Sequence, residues 1–123
     1  MNLEIQYLHV INLFQDYLNA HKNIWIMKKH DESIYYVMEA QDKNQSIFEE
    51  LALCKAPEEL FDGLLYNLSM AYVCESTVTN PGYSEHEEMK ILYDNLPIKK
   101  KKELNNIIHD LKEKFSLCMT HKQ

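Results

Sequence analysis

Ile24-Trp25-Ile26-Met27 and Ile34-Tyr35-Tyr36-Val37-Met38, separated by Lys28-Lys29-His30-Asp31-Glu32-Ser33, form the stretch on which the fold turns. Its β-branched and aromatic residues suit a pleated, half-buried surface and could pair as a hairpin. Ser33 could instead cap a short helix running through Ala40, its hydroxyl satisfying an orphan amide of the first turn. With only two glycines and three prolines in 123 residues, the chain is poor in the turn formers that a sheet needs, and this favours the helix.

The flanks agree with that preference. Tyr7, Leu8, Ile11, Phe14 and Leu18 recur at three- and four-residue steps, with Val10 and Tyr17 widening the stripe, which predicts an amphipathic helix over 2–21. Ser46-Ile47-Phe48-Glu49 matches a capping box and predicts a helix over 47–55. Pro57 suits a first helical position, and Leu60, Phe61, Leu64, Leu65, Leu68 and Tyr72 continue as the stripe of a central helix over 57–75. Thr77 to Gly82 reads as a loop, and Ser84 with Glu87 repeats the capping box for a helix over 85–95. Pro97 opens a last helix striped by Leu104, Ile107, Ile108, Leu111, Phe115 and Cys118. The expected architecture is all-α: one domain over 1–123, a compact bundle of five or six helices, with a short β-hairpin near 24–39 as the alternative.

Charge is unevenly spread. Residues 1–97 carry 16 acids against 6 lysines, whereas residues 98–123 carry 7 lysines against 3 acids. Between Asp31 and Asp62 there are 9 acids and only Lys43 and Lys55, so that stretch repels a phosphate backbone and attracts a basic partner. The chain has no arginine, and therefore no bidentate phosphate fork and no arginine finger. Cys54, Cys74 and Cys118 are odd in number and widely spaced, which points away from a disulfide framework and toward a reducing, cytoplasmic setting. No basic leader and no long apolar run marks an export or membrane segment, so no membrane partner is expected.

Catalytic chemistry leaves little trace. His30-Asp31 and His109-Asp110 are similar to the paired ligand of HD-type metal phosphohydrolases, with His9 and Asp94 as further ligands. Lys28 and Lys29 oppose a divalent ion beside the first pair, and chance surface neighbours explain both pairs more simply. Glu85-His86-Glu87-Glu88 splays around a helix and cannot converge on one ion. Lys99 to Lys102 likewise point around a helix axis and form a solvated collar. No catalytic residue, metal or cofactor is expected.

Eight tyrosines are the more suggestive signal, because tyrosine supplies rigid contact area with a polar tip. Tyr7, Tyr17 and Tyr72 fall on apolar stripes, whereas Tyr35, Tyr36, Tyr83 and Tyr93 are less accounted for. Asp31-Glu32-Ser33-Ile34-Tyr35-Tyr36 resembles the Ile-Tyr-Tyr element through which small acidic immunity proteins grip nuclease toxins of the colicin type, although the proline that follows in that family is absent here. The resemblance implies a non-enzymatic inhibitor of a basic protein. Its expected partner-binding residues are Asp31, Glu32, Tyr35, Tyr36, Glu39, Asp42, Glu49 and Glu50. The alternatives are a small helical metal-dependent hydrolase and a helical homo-oligomer.

Overall fold

A computed structural model describes residues 3–28, 34–44, 46–76 and 93–120. Along the chain run α1 (Leu3–Leu13), α2 (Gln15–Ala20), β1 (Ile24–Lys28), β2 (Tyr35–Ala40), β3 (Phe48–Cys54), α3 (Pro57–Ser76) and α4 (Ile98–Thr120). The strands form an antiparallel sheet of order β1-β2-β3, so the fold is mixed α/β and the expected all-α bundle is incorrect.

Two segments account for the difference. Residues 24–28 and 35–40 are the two antiparallel strands of the hairpin alternative, pairing Ile24 with Glu39, Ile26 with Val37 and Lys28 with Tyr35. The segment expected as a helix over 47–55 is strand β3. Its Glu, Leu and Ala residues favour helix, but seven residues make a marginal helix in water, and β2 offers a ladder of backbone partners instead. The capping box is dismantled by Asp42. Its carboxylate accepts hydrogen bonds from the Ser46 hydroxyl, the Ser46 amide (2.8 Å) and the Ile47 amide (2.9 Å). Those bonds hold the Asp42 carboxyl below its ordinary pKa and turn the chain back along β2.

The helical readings fare better. The helix expected over 2–21 is present as α1 and α2, interrupted at Phe14, whose amide bonds to the Ile11 carbonyl at 3.1 Å in a tightened turn. Pro57 begins α3 as expected, and the Glu59 carboxylate accepts the Lys55 amide at 2.8 Å just ahead of it. The Pro97 carbonyl accepts the Lys101 amide at 3.0 Å and starts α4. The loop expected over 77–82 and residues 85–92 of the helix expected over 85–95 lie outside the described residues.

One side of the sheet meets the helices. Tyr7, Val10 and Phe14 of α1, Ile24, Tyr35, Val37 and Cys54 of the sheet, Leu60, Phe61 and Leu64 of α3, and Leu111 of α4 form one buried cluster. Tyr7 stacks on Tyr35 with centroids 4.1 Å apart, and its hydroxyl donates to the Cys54 carbonyl at 3.4 Å. Phe61 stacks on Phe115 at 4.3 Å, tying α4 to α3. A second cluster of Val73, Leu96 and Leu104 packs with Tyr72, and the Tyr72 hydroxyl donates to the Glu103 carboxylate at 2.5 Å. Gly63 allows α3 to lie close on β3: a Cβ there would meet that of Ala52 at 3.3 Å.

Two measurements test this packing. Gly63→Ala exchanges a helix-propensity gain of about 1 kcal/mol for a squeezed contact, and thermal unfolding should find it near neutral. Gly63→Leu, overfilling the same gap, should cost about 1–3 kcal/mol. Burial also pushes the Cys54 thiol up to about 11 and the Tyr7 hydroxyl up to about 12. Both groups are neutral in the fold yet ionise at lower pH once unfolded. Their stability contribution is therefore complete below about pH 9 and declines as pH rises toward 12, which denaturant titration across that window should show.

Candidate binding surface

Alternation along a strand sends successive side chains to opposite faces, so the inward set Ile24, Ile26, Tyr35 and Val37 forces Trp25, Met27, Tyr36 and Met38 outward. The third strand extends both rows. Trp25, Met38 and Glu50 lie side by side, as do Met27, Tyr36 and Leu53. Phe48 joins this face by meeting the Trp25 ring edge-on at 5.7 Å, reaching across β2. Trp25, Met27 and Leu53 expose 43%, 46% and 43% of their surface, values high enough to mark apolar side chains in water. Met27, Lys28, Tyr36, Met38 and Glu50 line a shallow depression of about 390 Å³ on it. Among the described residues, no helix covers this side.

The site expected from sequence is divided by the sheet. Tyr35 is buried against Tyr7 and cannot be a surface anchor, because the alternation that turns half-buried Tyr36 to the outer face turns Tyr35 inward. Tyr36 and Glu50 share the outer face. Glu49 is exposed opposite Glu39, and such a like-charge pair across neighbouring strands is mildly unfavourable when nothing screens it. Glu39 is half-buried at the end of the sheet facing α3 and accepts hydrogen bonds from Gln41 (3.1 Å) and Asn23 (3.5 Å). Asp42 is consumed by its turn. Asp31 and Glu32 lie outside the described residues. The apolar members that sequence reasoning missed are Trp25, Met27, Met38, Phe48 and Leu53. Their signal was the period-two pattern across 24–28 and 35–40, legible only once the hairpin is preferred to the helix.

A second, more polar groove runs along α3, with Tyr17, His21, Glu39, Asn67, Met70 and Ala71 on its walls. The Tyr17 hydroxyl donates to Asn67 Oδ1, and the Tyr17 and His21 rings lie 4.4 Å apart. His21 Nδ1 is 3.0 Å from the Tyr17 carbonyl, an acceptor, so in the neutral ring the proton resides on Nδ1. Its component hollows, about 130–140 Å³ each, admit a side chain or small group rather than a nucleotide.

The hydrolase constellation is not assembled by the described residues. No group of three or more His, Cys, Asp and Glu side chains converges among them, and His30 and Asp31 lie outside that set. His109 and Asp110 pair along α4 with Glu113 (3.5 Å) and Lys114 (3.0 Å), as surface neighbours do. Burial keeps Cys54 protonated at neutral pH, which withholds its thiolate. In the lysine collar Lys99, Lys100 and Lys102 are exposed, with Lys100 5.9 Å from the Tyr72 ring centre and Lys101 5.5 Å from that of Tyr93. Among the described residues, no helix is long and apolar enough to cross a membrane. No protein family, curated protein or solved structure matches the chain.

The two adjacent tyrosines are separable by experiment. Tyr35→Ala should lower unfolding stability by about 3–5 kcal/mol, the range for a large aromatic removed from a core. Tyr36→Ala should change it by no more than about 1 kcal/mol, and a similar loss at both positions would contradict the alternation.

Proposed function

We propose that the chain is a non-enzymatic binding protein that masks a basic protein partner, most concretely as a cytoplasmic inhibitor of the toxin-immunity type. The observation that carries this reading is the outer sheet face, where exposed Trp25, Met27 and Leu53 stand with Tyr36, Met38 and Phe48 and with Glu50 on β3, while Glu49 is exposed on the other side of the same strand. Large apolar side chains return free energy when water leaves them, while the charges set orientation and encounter rate. The acid excess between Asp31 and Asp62 acts in the same direction, since it raises the local concentration of a cationic surface.

Inhibition on this reading is occlusion. A stable complex buries about 800 Å² on each partner, enough to cover the phosphate-binding cleft of a small nuclease. Tyr36 supplies rigid area with a hydroxyl for the rim, and Met38 and Leu53 adapt around it. Glu50, set beside Met38, pairs with a lysine or arginine of the partner. Tyr35, with its ring committed to the core, contributes only by holding the strand that presents Tyr36.

Co-expression with the toxic product of a neighbouring gene, followed by affinity measurement on the purified pair, tests the proposal. Protection of growth and a complex that weakens with salt are expected. Tyr36→Ala should reduce affinity at least about tenfold, the equivalent of 1.4 kcal/mol, and Glu50→Lys should mainly slow association. A chain that neither protects nor binds the cationic product sinks the idea.

A further inference from the structure

The two edges of the sheet are unequal. On β3 the register slips between Val37 and Met38, leaving Leu51 as an extra residue, and Glu49 and Glu50 follow at once. A bulge and adjacent charges are the usual protection of an edge against further pairing. Strand β1, Ile24-Trp25-Ile26-Met27-Lys28, has no bulge against β2, no proline, and a charge only at its last position. Ala40 donates its amide to the Asn23 carbonyl at 2.8 Å, which makes 23/40 a hydrogen-bonded pair. Alternation then makes 25/38 and 27/36 the next such pairs, and it directs the amide and carbonyl of Ile26 away from β2. Among the described residues, no strand lies along that side.

We infer that β1 pairs antiparallel with β1 of a second copy of this chain about a two-fold axis at Ile26, joining two three-stranded sheets into one of six strands. At the axis, Ile26 exchanges both backbone hydrogen bonds with the second copy's Ile26. This register sets Trp25 opposite Met27 in a non-hydrogen-bonded pair, the closer kind, on the outer face. The thioether of each copy then packs on the indole of the other, and the two most exposed apolar residues of β1 lose water together. Charge allows the arrangement. Lys28 falls opposite Ile24, so the two Lys28 residues stand roughly 13 Å apart along the strands, beyond a physiological Debye length of about 8 Å. Pairing through β3 would instead bring Glu49 and Glu50 of both copies together. A two-fold contact closes on itself and yields a dimer rather than a filament.

The inference concerns the isolated protein and does not rest on the proposed partner. Its test is the mass in solution, measured by light scattering and sedimentation in reductant, so that thiols such as Cys118 cannot cross-link. Wild type should show twice the chain mass, with dissociation on dilution. Trp25→Lys with Met27→Lys places like charges opposite each other at both cross-strand pairs and should give a monomer. Trp25→Lys with Met27→Glu places opposite charges there and should restore the dimer. Both variants alter exposed positions, and circular dichroism verifies their fold. A wild-type chain that is monomeric at all concentrations overturns the inference. So does a dimer that survives the paired lysines, or one that the lysine–glutamate pair fails to restore.

Discussion

The stack of Tyr7 on Tyr35 joins α1 to the central strand, and the face that β2 turns outward depends on it. Side chains alternate with a period of two, so a slip of one residue would carry Tyr36 and Met38 into the core and expel Tyr35 and Val37. The core would then have to accommodate Met38 in the place of Val37, which is almost wholly buried beside Leu60 and Leu64. Packing thereby selects one register. Through β2 it also positions Trp25 and Met27 on one side and Leu53 and Glu50 on the other.

The consequence is a division of labour across one layer. The inner face supplies stability and holds ionisable groups in their neutral forms, as with Tyr7 and Cys54. The outer face retains large apolar groups in water. A three-stranded sheet covered on one side ordinarily carries polar residues on the other, and this one carries tryptophan, methionine, tyrosine and leucine. Such a surface acquires its energetic value when something covers it.

Charge reinforces the asymmetry. The acids cluster around β2, β3 and the start of α3, and the lysines gather at the start of α4. Two of those lysines are drawn onto Tyr72 and Tyr93, so the basic run also has a structural role in fastening α4. The acidic end has a different character. Asp42 is committed to a turn and Glu39 to its neighbouring amides, while Glu49 and Glu50 stand in solvent, Glu50 on the apolar outer face and Glu49 on the opposite side of β3.

By itself the sequence determined the long helices, because a repeated 3.6-residue stripe with a proline at its head admits few other readings, as at Pro57 and Pro97. It also determined the acidic body and the absence of an arginine fork. Tertiary structure alone decided the sheet. Residues 24–28, 35–40 and 48–54 are too short to stabilise any conformation locally, and Phe48 to Cys54 even prefer helix. Their strand state comes from backbone partners supplied by neighbouring segments and from the inner cluster that β2 must reach. Tyr35 and Tyr36 were equivalent as letters, and only pairing with β1 and packing on Tyr7 made one a core residue and turned the other to the outer face.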